Sequence, residues 1–209
     1  MPSSAAILAG LTAIANDWWT VAMFWHVYVA GLLFAIVMRT ALSSRWLAAL
    51  LVLPLLSVSA LAWTSDNPFN GAVFATLSLM LAAIARGLSS DVITIEPGPS
   101  SLVGAVMVVF GWIYPHFLDT THSTLYLVAA PLGLVPCPTL SAVIGVSLIA
   151  GGFRSMAWTS VLAGAGVFYA IVGVVTLNVG IDLLLLGGSV ALVVTGIATR
   201  RRSPQPLHA

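Results

Sequence analysis

Residues 114–123 read Tyr-Pro-His-Phe-Leu-Asp-Thr-Thr-His-Ser, so His116, Asp119 and His122 recur every three positions. On a helix of about 3.6 residues per turn such positions share roughly a 120° sector. Imidazole and carboxylate are ligands for zinc, copper or iron, and three of them with an open fourth position form a catalytic arrangement. The alternative is a solvated loop whose histidines meet only water. His26 lies inside an apolar run, about seven residues and roughly 10 Å from its start. An ionisable group at such depth is costly and is by default a functional-site candidate. It needs a partner, either the 116–122 segment, Asp66, Asp119 or Asp182, or a backbone carbonyl. Asp17, Asp66 and Asp182 themselves sit where a cap or turn needs an acceptor and read as structural.

The second candidate is Pro136-Cys137-Pro138, inside another long apolar run. Proline has no N–H to offer the carbonyl four residues earlier. Pro131, Pro136 and Pro138 therefore leave the carbonyls of Leu127, Leu132 and Leu134 short of their helical donors. A break at membrane depth is tolerated only where protein or a water-filled cavity satisfies the freed groups, and such breaks mark transport paths. A soft thiolate there suits Cu(I) or Zn(II). A kinked helix with an inert buried cysteine is the plainer reading.

What must position these residues follows from composition. The 209 residues are 60 % hydrophobic and 6 % charged, against roughly 25 % charged in a soluble domain. The apolar runs are about 18–25 residues long, the length of a membrane-crossing helix, so the expected fold is all-α, a polytopic bundle. A net charge of +1 gives no footing for nucleic acid. All seven basic residues are arginines; without lysine no retinal Schiff base can form. The single cysteine excludes an intrachain disulfide, and no basic region precedes the first apolar stretch as in a cleavable signal peptide.

The organisation expected is an interfacial amphipathic segment at 1–17, a bundle of seven spans at 18–199, and a polar tail at 200–209. In the first segment Ile7, Leu11, Ile14 and Trp18 fall at helical spacing, and Asp17 can cap the first span. The spans are about 19–38, 46–63, 69–85, 100–114, 124–150, 156–176 and 183–199. Asn67 with Pro68, and Ser100 with Ser101, read as helix starts. The loop at 87–99 carries Asp91 and Glu96. This alternation puts Arg39, Arg45, Arg86, Arg154 and Arg200–Arg202 on one side, and Asp17, Asp66, Asp119 and Asp182 on the other. The positive-inside rule then sets the N-terminus outside and the C-terminus in the cytoplasm of a cell (inner) membrane. Trp18, Trp19, Trp46, Trp63, Trp112 and Trp158 fall near span ends, as an interfacial belt does. Small residues at 163–166, 173 and 187–189 are expected to let helices approach closely.

Residues 112–145, with Tyr114-Pro115, His122 and Pro136-Cys137-Pro138-Thr139 followed by small and apolar residues, resemble the signature region of a family of small uncharacterised bacterial multi-pass membrane proteins. In that family a Gly-His pair often precedes the proline-cysteine run; here Thr121 precedes His122. The resemblance implies a membrane bundle and a role for Cys137 and His122, and carries no activity with it. Three readings stand together at this point. The first is binding or transport of a transition-metal ion (zinc or copper) or small solute, through His26, His116, Asp119 and His122 and then past Pro136, Cys137 and Pro138. The second is a metal-dependent intramembrane hydrolase. The third is a subunit of a homo-oligomer or larger membrane complex, with haem between His26 and an outer histidine.

Overall fold

The computed structural model describes residues 3–38, 40–93, 95 and 97–202, with the side chain of Arg202 excepted; Arg39, Glu96 and the tail at 203–209 lie outside the described residues. Among the described residues the chain is all-helical, and its one β-bridge pairs Ser43 with Val92. Helices α1 (Ser4–Asp17), α2 (Trp19–Val37), α3 (Ser44–Thr64), α4 (Pro68–Arg86) and α5 (Pro99–Ile113) come first. The single turn α6 (Tyr126–Ala129), then α7 (Pro136–Ile149), α8 (Met156–Ile171) and α9 (Leu183–Arg202) complete the order.

Five segments are long and apolar enough to cross a membrane: Trp19–Val37, Ser44–Thr64, Pro68–Arg86, Met156–Thr176 and Gly180–Arg201. Two more apolar helices, α5 and α7, are shorter, with 15 and 14 residues. Five such helices in so apolar a chain make this a multi-pass helical membrane protein.

The helix starts follow local chemistry. The Asn67 side chain accepts the Asn70 N–H, with Pro68 in the first turn. Ser43 and Ser155 cap α3 and α8 in the same way. Two expected caps do not form. Asp17 is the last residue of α1, and the junction to α2 falls at Trp18 with no side-chain cap. Gly98, not Ser100, precedes α5, because Pro99 already has the backbone torsion of a first helical residue. On α1 the expected apolar face is present, with Leu11 and Ile14 buried and Ile7 half-buried, while Trp18 is exposed. Trp18, Trp19, Trp46 and Trp63 are exposed, as belt residues should be. Trp158 departs from the belt: it is fully buried and donates its indole N–H to Ser147 Oγ at 3.0 Å.

Small residues set the packing. In α5 and α7 the backbones touch: a methyl on Gly104 would meet the Gly145 carbonyl, and one on Gly111 the Pro138 carbonyl. A methyl on Gly166 of α8 would strike Ser189 of α9. Trp63 covers Gly71 between α3 and α4, where Ser59 Oγ–H donates to the Gly71 carbonyl at 2.7 Å. With α5 and α7 in backbone contact, their facing ends, Ile113–Tyr114 and Pro136–Cys137, are brought side by side.

Candidate functional site

The expected fifth span, 124–150, is broken. A 3₁₀ turn at Ser123–Leu125 runs into α6, residues 130–135 leave the helical path, and α7 starts afresh at Pro136. The prolines do not kink a continuous helix; they begin one. Pro136 and Pro138 occupy the first turn of α7, where amide donors have no intrahelical acceptor and none is missed. Thr139 closes the break from inside: its Oγ1 accepts the Gly133 N–H at 2.9 Å and donates to the Val135 carbonyl at 2.7 Å. Gly133 has φ 74°, and a methyl there would enter the Trp25 ring. The carbonyl of Leu127, deprived of its donor by Pro131, accepts the Trp112 indole N–H at 2.8 Å.

Cys137, in the first turn of this buried helix, faces Asp182. Its Sγ–H donates to Asp182 Oδ2 at 3.2 Å, and Tyr114 Oη–H donates to Oδ1 at 2.8 Å. Asp182 is 1 % exposed and Tyr114 is fully buried. Room for the carboxylate comes from Gly173, where any Cβ would collide with Oδ2. Gly173 belongs to a π-helical turn, Val172–Thr176, which ends α8 before Asn178 turns the chain at φ 56°. Such π-turns are often found at functional sites. Four departures from α-helix thus meet at one carboxylate: the end of α5, the start of α7, the π-turn after α8 and the start of α9. The N-terminal ends of α7 and of α9 both bring positive dipole ends towards it.

The polar line extends beyond the three residues. His116, half-buried, lies within electrostatic reach of Asp182. Tyr169 lies within electrostatic reach of Cys137 and donates its hydroxyl to Asn70 Oδ1 at 2.9 Å. Asp182 read from sequence as a turn residue. The signal for more was an acidic residue directly before the run Leu183–Leu186 with no basic residue near it in sequence.

The outer histidine cluster takes a different form from the helical spacing expected. Residues 114–122 are not helical, because Tyr114 precedes a proline and is driven to φ −39°, ψ 106°, and Phe117 adopts φ 73°. His116 stacks edge-on to Phe117, while Asp119 and His122 are exposed. Among the described residues, no group of three or more His, Cys, Asp or Glu side chains is placed to hold a metal ion. The loop is tied down through its backbone. Asn16 of α1 donates to the Phe117 carbonyl at 3.0 Å and accepts the Asp119 N–H at 2.9 Å, and Tyr126 Oη–H donates to the Leu118 carbonyl.

His26 is buried, as its depth required, and its partners are backbone carbonyls. Nδ1 lies 2.8 Å from the Ala22 carbonyl and Nε2 2.9 Å from the Trp112 carbonyl, with the Trp112 ring edge-on. It thus bridges α2 to the last turn of α5, where helical carbonyls lack amide donors. Comparison with family models, curated proteins and solved structures finds no match to the chain.

Proposed function

We propose that the chain is a seven-segment protein of the cell (inner) membrane, N-terminus out and C-terminus in, that binds and passes a small cationic solute at Asp182. The observation that supports this reading is the meeting of four helix interruptions on one buried carboxylate. Packing alone does not call for a carboxylate there, since burying a charge is costly. Cys137 and Tyr114 each offer it one neutral donor, which an arriving cation can displace. A soft ion such as Cu(I) or Zn(II) would take the thiol sulfur together with a carboxylate oxygen, and an ammonium group the carboxylate alone. The placement of the outer histidines favours this role over a multi-histidine centre or a haem pair, with His116 nearest the approach.

Full-length protein in liposomes, with zinc, copper(I) and methylammonium offered separately, tests the reading. Uptake of at least one is expected, falling about tenfold or more in Asp182→Asn, which removes an interaction of the 1.5–3 kcal/mol class. Equal flux through wild type and Asp182→Asn for every cation would refute the assignment.

A further inference from the structure

The far end of α9 carries a second feature, separate from Asp182. Val194, Ile197, Ala198 and Arg201 line one shallow open groove. Their spacing of three, four and seven residues makes them one stripe on a helix face. Val194 and Ile197 are 58 % and 40 % exposed, so the stripe points outward from the bundle. It is about two turns, or roughly 10 Å, long, and it ends in a guanidinium.

Positive charge at that end comes from the helix's own neighbouring residue. Arg200 is exposed beside Arg201. The turn Gly151–Arg154 packs on the buried side of α9 more than one turn further in, where Gly152 faces Thr195. Acyl chains cover the lipid-facing surface of any membrane helix. This stripe differs in ending on arginines at the point where a lipid phosphate would lie, and guanidinium binds phosphate in two-point geometry.

We propose that this stripe seats an anionic phospholipid, with one acyl chain along Val194, Ile197 and Ala198 and the phosphate on Arg201, supported by the charge of Arg200. The inference rests on the membrane-spanning reading and not on transport at Asp182, so Asp182→Asn should keep the lipid preference whole.

Native mass spectrometry of the full chain in detergent tests it, with phosphatidylglycerol and phosphatidylcholine of identical acyl chains added at equal concentration. Retention of phosphatidylglycerol should exceed that of phosphatidylcholine by about fivefold or more, the effect of roughly one arginine at a bilayer surface. Arg200→Gln with Arg201→Gln should bring the two lipids level, while Arg201→Lys keeps part of the preference because the charge remains. Ala198→Trp, which blocks the chain seat and leaves both charges, should also lower the adducts; it decides the matter if the double arginine variant does not purify as a folded monodisperse species. Equal retention of both lipids by wild type, or unchanged retention by these variants, overturns the proposal. Complete displacement of phosphatidylglycerol by inorganic phosphate would assign the arginines to a free anion and overturn it equally.

Discussion

The Asp182 carboxylate is held by three contacts of different kinds. Tyr114 and Cys137 donate one hydrogen bond to each oxygen, and Gly173 leaves the space one methyl would fill. Removing a donor while keeping the carboxylate buried leaves an acceptor unsatisfied, at a cost of about 1–3 kcal/mol. Tyr114→Phe should therefore lower stability by about that amount. Gly173→Ala should cost a similar 1–3 kcal/mol through overpacking, since the carboxylate or the π-turn must shift. Cys137→Ser keeps a donor at the same place and should cost less than either. Unfolding in mixed detergent micelles checks the order; a Tyr114→Phe protein as stable as wild type would mean that the phenol is not holding the carboxylate. The importance of Cys137 was legible in the sequence because two prolines flank it. That of Asp182 was not, since its partners lie 68 and 45 positions away, and only the packing of α5, α7 and α9 brings them together.

At the scale of elements, the prolines pointed to an interruption of the fifth apolar run, as a break or a kink, and named the carbonyls left short. They did not show how the break is closed. The Leu127 carbonyl takes the Trp112 indole, a partner on another helix, and Thr139 serves both Gly133 and Val135. Thr139 lies in the Pro-Cys-Pro-Thr run, so that run is a helix start with its own staple: prolines where donors are not needed, a threonine where a loop must be tied back. Thr139→Val keeps the shape and removes the hydroxyl. It should cost about 1–3 kcal/mol, because the buried Gly133 N–H loses its partner. Thr139→Ser should restore most of it. Thermal unfolding of the three proteins decides this, and a Thr139→Val midpoint equal to wild type would show that the break is held elsewhere. The helical spacing of His116, Asp119 and His122 misled for a related reason: the period describes side-chain positions only where the backbone is helical, and Pro115 ends the helix before the motif begins.

For the whole molecule, the seven crossings proposed above have to be reconciled with five long apolar helices. At 1.5 Å per residue, α5 and α7 are about 22 and 21 Å long, roughly two thirds of a hydrocarbon core near 30 Å. Non-helical chain must complete each crossing, which is tolerated only where protein covers it. Here it does: Tyr114, Phe117, Leu118 and residues 129–135 are buried, and Thr139 and Asn16 occupy backbone groups along the way. The charge pattern fits the same count: losing one short segment alone as a crossing would split the arginines between the two sides against the positive-inside rule, whereas losing both together would keep them on one side. Seven crossings place Ser65 and Ser123 on the outer side, and Ser89 and Ser155 on the cytoplasmic side. In a Cys137→Ser background, which has no other thiol, single cysteines at these four positions can be treated with a membrane-impermeant maleimide on intact cells. Ser65→Cys and Ser123→Cys should label at once, and Ser89→Cys and Ser155→Cys only after the cells are opened. Labelling of Ser155→Cys from outside would mean that the segment containing α7 enters and leaves by one face. That would leave Asp182 at the tip of a re-entrant helix rather than on a path through the membrane.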